Sequence, residues 1–404
     1  MYEGTNFQSI RVHAHIQKDR KAMIYRFIAI SFILLGAGCA NDSSPRPTHE
    51  SCTIVRSYSG QPLRNSIDEA TWSLVPQPRS GLTMDEIAAL EGAFSHANTA
   101  TSAPSMTVAV WQAGGSPWTR TSGTPVNHLH YWASVGKIVT ASAILKLVEN
   151  DRLSLDQSVS EYVDGVPNGD IITLRMLLNH TSGLFSANED TQRSSNDGQL
   201  GLVGVLEVAN RQPPYFCPGE GWRYSNTGYV LLSAIIEDVT GQPYHVAAYD
   251  LVLAQSAGRE IRLLGPSSSV AGVVLPAEPV NQPTGDIRQP RGAGVAVGSA
   301  ESMVLFLRDL LSGQILEKAT VKQMLDDLYP MFENGLYYGL GLMAYDVPGE
   351  VGSQLWIGHS GGAPGARAIL VFSPEKQSIV AVAMTGEGPA EAAANLMFGA
   401  LQDD

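Results

Sequence analysis

The stretch Trp132-Ala133-Ser134-Val135-Gly136-Lys137 places the pattern Ser-x-x-Lys at the start of an apolar segment with helical periodicity, residues 135–149. Side chains three residues apart project from one face of a helix, so the Lys137 amine can reach the Ser134 hydroxyl. A lysine enclosed by apolar walls loses its preference for the charged form and can act as a base on the serine. The helix N-terminus directs the Ser134 N–H at a developing oxyanion. Taken alone, the four residues also fit a serine cap followed by a solvated lysine.

A second polar group stands in the middle of the chain. Tyr224-Ser225-Asn226 lies in a loop directly before another segment with helical periodicity. A tyrosine there can relay a proton between a serine and a leaving group, and Asn226 can donate a hydrogen bond to a substrate amide. Earlier, Asn179-His180-Thr181-Ser182-Gly183-Leu184 ends a helix in a turn, and we interpret His180 and Ser182 as structural residues of that turn.

Gly358-His359-Ser360-Gly361-Gly362 fits the nucleophile pattern G-x-S-x-G. In α/β-hydrolases such a serine joins a strand to a helix, and the catalytic histidine follows later in the chain. Here a second strand-like segment comes next, and no histidine follows His359. A trypsin-like arrangement would need His128 or His130 as its base, and neither stands in the sequence context of that family. The sequence therefore predicts that Ser360 is not the nucleophile.

Taken together and in order, a set of motifs resembles those of the penicillin-recognising serine hydrolases. This group holds class C β-lactamases, D-alanyl-D-alanine carboxypeptidases, D-amino-acid peptidases and family VIII esterases. The resemblance runs over residues 84–401. It rests on Ser134-Val135-Gly136-Lys137, Leu177-Leu178-Asn179-His180-Thr181-Ser182-Gly183-Leu184, Pro218-Gly219 with Tyr224-Ser225-Asn226-Thr227-Gly228-Tyr229, Gly294 through Ser299 with Phe306, Tyr338-Gly339-Leu340-Gly341, and His359-Ser360-Gly361-Gly362.

The resemblance implies an α+β fold, with an antiparallel sheet flanked by helices and an inserted all-helical domain. It implies a sheet domain at 83–158 and 291–404, and a helical domain at 159–290 that includes a site-shaping loop. Apolar periodicity within the latter predicts a helix over residues 245–257.

The resemblance also implies roles for individual residues. Ser134 would be the acylated nucleophile, Lys137 its base, and Tyr224 the second base and acid. Asn226 and the segment His359-Ser360-Gly361 would bind substrate, and the backbone N–H groups of Ser134 and Gly362 would form the oxyanion hole. His359 departs from the lysine that many relatives carry, and a histidine offers a weaker fixed charge to a substrate carboxylate.

The beginning of the chain predicts export. Basic residues precede the apolar run 27–35, and Leu34-Leu35-Gly36-Ala37-Gly38-Cys39 resembles a bacterial lipobox. We expect residues 1–39 to be a signal peptide of the lipoprotein type, with Cys39 lipidated; an ordinary signal cut near the same point is the alternative. Met23 could be the true start. Residues 40–82 would form a tether and N-terminal extension, and the protein would face the periplasm from a lipid anchor in the bacterial cell envelope.

Composition limits the partners. The 404 residues carry a formal net charge of -13, which argues against nucleic acid or anionic lipid as the main partner. The sequence has no metal-binding pattern, so we expect no metal and no cofactor. In an oxidising compartment Cys52 and Cys217 could form a disulfide, or both could remain free.

The expected function is acyl transfer to water through Ser134, with a small molecule or peptide as the substrate. The first choice is a D-alanyl-D-alanine carboxypeptidase-like enzyme or a related D-amino-acid peptidase. The alternatives are a class C β-lactamase acting on β-lactams, a family VIII-like carboxylesterase acting on esters, and a penicillin-binding lipoprotein without turnover.

Overall fold

A computed structural model describes residues 46–74, 81–192, 201–278, 286–288, 291–332, 335–348 and 353–402. The expected signal peptide at 1–39, with Cys39, lies outside the described residues. In the part of the chain covered by these ranges, no helix is both long and apolar enough to cross a membrane.

Two sheets organise the chain. The strands are β1 (Met106–Gln112), β2 (Trp118–Ser122), β3 (Leu129–Tyr131), β4 (Arg262–Leu263), β5 (Val273–Val274), β6 (Ala296–Gly298), β7 (Tyr329–Pro330), β8 (Leu336–Tyr338), β9 (Met343–Pro348), β10 (Ser353–Ala363), β11 (Ala366–Ser373) and β12 (Ser378–Thr385). The larger sheet has eight antiparallel strands in the order β2-β1-β12-β11-β10-β9-β8-β7. The smaller sheet has the order β4-β6-β3-β5.

The helices lie on both faces of the larger sheet and beside it. They are α1 (Glu69–Trp72), α2 (Met84–Thr101), α3 (Lys137–Glu149), α4 (Leu174–Leu178), α5 (Leu202–Arg211), α6 (Asn226–Thr240), α7 (Tyr244–Ala248), α8 (Ala300–Leu311), α9 (Lys318–Gln323) and α10 (Ala390–Phe398). The terminal helices α2 and α10 pack together on one face, and α8 packs against β1 and β12 on the other. The expected α+β fold with an antiparallel sheet flanked by helices is confirmed.

Local sequence explains the best-defined elements. Every residue of β11 and β12 is buried, as expected for apolar runs covered on both faces. Helix α2 begins at a capping box, in which the Thr83 hydroxyl accepts from the Glu86 N–H at 3.2 Å and Glu86 accepts from the Thr83 N–H at 2.8 Å.

The prediction of one helix over 245–257 is wrong. Helix α7 ends at Ala248 and continues only as a single π turn, Tyr249–Leu253. After this π turn the Asp309 carboxylate of α8 accepts hydrogen bonds from the Ala257 N–H at 2.6 Å and the Ser256 hydroxyl at 3.0 Å. These bonds hold the chain in a turn instead of a further helical turn.

The segment 159–290 is not entirely helical. Helices α4, α5, α6 and α7 lie in it and α6 packs against the other three, but the same segment supplies β4 and β5 to the smaller sheet. These two-residue strands pair with β6 and β3, which belong to the expected sheet domain. Helix α6 also packs on α3, so the helix that follows Ser134 contacts both parts of the molecule.

The N-terminal extension is bound to the body of the protein. Cys52 and Cys217 form a disulfide that joins residues 165 positions apart. The Arg56 N–H donates to the Pro218 carbonyl at 2.9 Å, and the Arg64 N–H donates to the Leu328 carbonyl at 3.0 Å. Residues 46–74, within the expected tether 40–82, therefore cross the surface from the loop before Tyr224 to the far edge of the sheet.

Candidate active site

Ser134 lies in a tight turn directly before helix α3. The turn is a 3-10 helix, Ala133–Gly136, and Ala133 adopts a left-handed backbone conformation with φ of 46°. A non-glycine residue pays a conformational cost there, and such strain is common where a side chain must be aimed. Gly294 lies against this turn: a Cβ at Gly294 would lie 2.6 Å from the Ala133 carbonyl oxygen. The main chain at Gly294 therefore crosses close to the turn that carries Ser134.

Lys137 is fully buried, and its Nζ has three hydrogen-bond partners. They are the Ser134 hydroxyl at 3.1 Å, Asn226 Oδ1 at 2.7 Å and the Ala293 carbonyl oxygen at 2.7 Å. Burial disfavours the ammonium form and holds the pKa of Lys137 well below its ordinary value. The two carbonyl oxygens can only accept, whereas a hydroxyl can also donate. In its neutral form the Lys137 amine can therefore use its two protons on Asn226 and Ala293 and accept from the Ser134 hydroxyl, whereas the ammonium form donates to all three oxygens.

Tyr224 completes one wall of the site. Its ring centroid lies 4.9 Å from Lys137 Nζ and 4.3 Å from the centroid of His180. Burial raises the pKa of Tyr224 well above its ordinary value, and the nearby Ser134 hydroxyl acts in the opposite direction. Among the described residues, no hydrogen bond of normal geometry holds the Tyr224 hydroxyl. The phenol therefore keeps its proton at neutral pH and has it free for a reacting atom near Ser134.

Asn226 is the first residue of helix α6, and hydrogen bonds at both Oδ1 and Nδ2 fix the orientation of its carboxamide. Oδ1 accepts from Lys137, and Nδ2 donates to Asn188 Oδ1 at 2.9 Å. Asn188 Oδ1 also accepts from the Ser186 hydroxyl at 2.6 Å. Sequence reasoning missed Asn188, which lies 38 positions before Asn226 in a short turn, Ala187–Glu189, and carries no motif of its own.

The second half of β10 forms the opposite wall. Strand β9 pairs with β10 only as far as Gly358, and beyond that point the edge of β10 packs against the turn that carries Ser134. A Cβ at Gly361 would lie 2.3 Å from the Trp132 carbonyl oxygen and 3.1 Å from the Ser134 nitrogen. Gly361 and Gly362 are thus beside the Ser134 main chain, and the oxyanion-hole role of the Ser134 and Gly362 N–H groups stays a prediction.

His359 presents no charge to this wall. Its side chain is completely buried, Nε2 lies 3.0 Å from the Tyr338 hydroxyl, and Nδ1 contacts the Ser360 carbonyl oxygen. Burial is the main cause that lowers the pKa of His359 to about 3. His359 is therefore a neutral imidazole whose two nitrogens are both engaged within the protein.

The Ser360 side chain points elsewhere. Its hydroxyl is buried and donates to the Met343 sulfur at 3.8 Å. Neither Ser134 nor Lys137 is among its hydrogen-bond partners in the described part of the chain, so only the Ser360 main chain is available to a substrate on this wall. The geometry agrees with the expectation that Ser360 is not the nucleophile.

His180 and His130 are buried and bonded to other parts of the protein. His180 has φ of 65°, and its Nδ1 accepts from the Ser225 N–H at 3.2 Å, next to Tyr224. Burial holds the pKa of His180 well below its ordinary value. His130 Nε2 lies 3.0 Å from the Ser105 hydroxyl. Within the described ranges, His, Cys, Asp and Glu form no group of three that could hold a metal ion.

Comparison with known proteins places this geometry in a family. The sequence matches the family described as Beta-lactamase over residues 90–403. The chain belongs to this family. Esterase EstB of Burkholderia gladioli is 32% identical over 211 residues, which make up 46% of this chain and 53% of EstB. Two relatives from Bacillus subtilis, both named as penicillin-binding proteins, are matched over 27% and 60% of their own length. The chain thus spans less than two thirds of these relatives.

Solved structures share the fold over most of the chain. The D-stereospecific amidohydrolase from Streptomyces sp. has a TM-score of 0.65 and 25% identity, with 77% of this chain and 98% of that chain covered. The D-amino acid amidase from Ochrobactrum anthropi SV3 has a TM-score of 0.69 and 22% identity, with 78% and 98% covered.

Proposed function

We propose that this member of the beta-lactamase family is a serine hydrolase that forms an acyl-enzyme at Ser134. The set of partners around Lys137 Nζ carries the proposal, because two pure acceptors leave the amine lone pair to the Ser134 hydroxyl. Lys137 takes the hydroxyl proton while Ser134 Oγ attacks the substrate carbonyl carbon. The backbone N–H groups of Ser134 and Gly362 receive the oxyanion that develops.

Tyr224 supplies the proton that the leaving group needs. Its raised pKa keeps the phenol protonated at neutral pH, so it donates to the departing nitrogen or oxygen as the carbonyl re-forms. The resulting phenolate is a strong base and takes a proton from the water that attacks the acyl-enzyme. When the acyl bond to Ser134 Oγ breaks, Lys137 gives its proton back to Oγ, so Ser134, Lys137 and Tyr224 all return to their starting forms and the acyl group leaves as the carboxylic acid.

We propose donors with an uncharged leaving group, namely D-amino-acid amides or peptides, ahead of D-alanyl-D-alanine carboxypeptidase substrates. A terminal carboxylate needs a cation or several donors to offset its lost hydration. His359 is neutral and internally bonded, and among the described residues no arginine and no second lysine hydrogen-bonds to Ser134, Tyr224 or Asn226. The fold shared with two proteins named for amide hydrolysis supports the same choice.

The test combines turnover with intact-mass spectrometry. D-Phenylalanine amide, N-acetyl-D-Ala-D-Ala, a penicillin and a p-nitrophenyl ester are compared at equal concentration. We expect hydrolysis of the D-amide, a lower kcat/KM for the carboxylate-terminated peptide, and a covalent adduct on Ser134 with at least one donor. Ser134→Ala should abolish adduct and turnover, and the matched change Ser360→Ala should keep both. The absence of any adduct or turnover would refute the enzyme proposal; rapid penicillin or ester turnover without amide hydrolysis would refute the substrate choice.

We also propose that the protein works in the cell envelope, held by a lipid on Cys39. The disulfide between Cys52 and Cys217 supports an oxidising compartment. Cells fed a radiolabelled fatty acid should label the wild-type protein and not the Cys39→Ser variant. Equal labelling of both would refute the anchor.

A further inference from the structure

Three buried side chains connect β10 to the helices beside the sheet. The Tyr338 hydroxyl, on β8, lies 3.0 Å from His359 Nε2 and 3.2 Å from the Tyr229 hydroxyl. The Tyr229 hydroxyl, on α6, donates to the Leu178 carbonyl at the end of α4 at 2.9 Å. His359, Tyr338 and Tyr229 are all completely buried. Neither tyrosine hydroxyl has a place in the acyl-transfer steps proposed above.

The hydrogen bonds at the two ring nitrogens define the tautomer of His359. Nδ1 faces the Ser360 carbonyl oxygen, which can only accept, so Nδ1 carries the proton. In a neutral imidazole Nε2 is then an acceptor, and the Tyr338 hydroxyl must donate to it. Tyr229 donates to Leu178 and does not compete for Nε2. The Ser360 carbonyl thus fixes His359 as the Nδ1–H tautomer, and the Tyr338 hydroxyl, the partner of Nε2 among the described residues, holds the ring by donating to it.

The same side chains support Tyr224 and Lys137. The Tyr338 ring meets the Tyr224 ring edge to face, with centroids 5.9 Å apart and planes at 81°. Lys137 Nζ lies 5.3 Å from the Tyr229 ring centroid. A displaced Tyr338 would therefore disturb both His359 and the ring that carries the proposed acid.

The backbone near Tyr338 is shaped to let the two hydroxyls meet. Gly341 has φ of +81°, and a Cβ there would lie 3.2 Å from the Tyr229 hydroxyl and 2.3 Å from the Ala141 Cβ. Glycine at this position accommodates both the backbone conformation and the close approach.

We propose that Tyr338 and Tyr229 are positioning residues: Tyr338 donates to Nε2 of the neutral His359 and packs on Tyr224, and Tyr229 lies against Lys137, so that these groups keep their places relative to Ser134. The proposal rests on the proposed function of Ser134. On this proposal the segment His359-Ser360-Gly361 contributes geometry and not charge to the site. The motif Tyr338-Gly339-Leu340-Gly341 then has a positioning role.

The first test measures the protonation of His359 in the wild-type protein. Long-range ¹H–¹⁵N spectra of histidine-labelled protein should show His359 protonated on Nδ1 and without titration between pH 5 and about 9. The signal is assigned by its loss in His359→Gln. A protonated Nε2 in the neutral ring, or a titration in that interval, would overturn the assignment.

The second test compares two tyrosines on one strand. Tyr338→Phe removes the donor to Nε2, whereas Tyr337→Phe removes a neighbouring hydroxyl whose ring faces Arg64 outside the site. We expect Tyr338→Phe to lower the rate of Ser134 acylation about tenfold with little change in KM, and to broaden or shift the His359 signals. Tyr337→Phe should match wild type in both readouts. Equal kinetics and spectra for the two variants would refute the positioning role; a wild-type protein that never forms a Ser134 adduct would instead refute the proposed function.

Discussion

Replacing Lys137 by methionine tests whether the lysine is neutral in the folded protein. Burial lowers the pKa of Lys137 well below 10.5, the value expected for the unfolded chain. At pH values between the two pKa values, the unfolded chain binds one more proton than the folded protein. Stability then rises with pH, by about 1.4 kcal/mol per pH unit for one proton. Over the interval from about pH 8 to 9.5, the wild type should gain about 2 kcal/mol relative to Lys137→Met.

The interval is chosen to isolate this lysine. The buried His180 and His359 have lowered pKa values, so their effect on stability lies below pH 6.5, and the raised pKa values of buried tyrosines act above about pH 10. Urea unfolding followed by tryptophan fluorescence supplies the two free energies at each pH. Methionine leaves Asn226 and Ala293 without a donor, which shifts the variant's curve by a constant and leaves its slope unchanged.

Parallel plots of unfolding free energy against pH for the wild type and Lys137→Met would contradict a neutral Lys137. Parallel curves would mean that Lys137 stays protonated in the folded state through pH 9.5, and a protonated amine has no lone pair for Ser134. The same reasoning applies to catalysis, because kcat/KM for an amide should fall as the pH falls through the pKa of folded Lys137. A rate that stays constant while the stability slopes differ would place the proton transfer on another group.

Three further changes test separate contacts. Tyr224→Phe should slow the acylation of Ser134 by an amide far more than its acylation by a p-nitrophenyl ester, because nitrophenolate leaves without a proton; equal losses in the two acylation rates would contradict the acid role. Asn188→Ala frees the Asn226 carboxamide to turn and should lower kcat/KM roughly fivefold, whereas unchanged kinetics would show that Asn188 is dispensable. Replacing Cys52 and Cys217 together by serine should lower the free energy of unfolding by about 2–4 kcal/mol in thermal melts, and an unchanged melting temperature would contradict this.

Sequence reasoning succeeded where one local pattern was sufficient. The apolar run of β11 ends at Pro374, and the Ser299 hydroxyl caps the first turn of α8, so the local sequence marks the bounds of both elements. The Ser-x-x-Lys contact also follows from local geometry, since three residues of helix bring Lys137 to Ser134.

Elements stabilised by distant partners could not be predicted in this way. The strands β7, β8 and β9 were missed, because the first two have only two and three residues and exist as continuations of a larger sheet. The partner of Asn226 is 38 positions away, and the partner of His359 is 21 positions away. The orientation of Ser360 was accessible, since alternation along a strand puts neighbouring side chains on opposite faces.

The segment Gly358-His359-Ser360-Gly361-Gly362 has the letters of a nucleophile motif but does not act as one. Both side chains are bonded within the protein, His359 to the Tyr338 hydroxyl and Ser360 to the Met343 sulfur. Neither side chain is left to react, so what this segment brings to the cleft is main chain. The glycine at 361 permits that main chain to approach Ser134 more closely than any side chain would allow. Small residues at a fixed sheet edge are therefore sufficient to produce the letters of a nucleophile motif in a hydrolase whose nucleophile lies elsewhere.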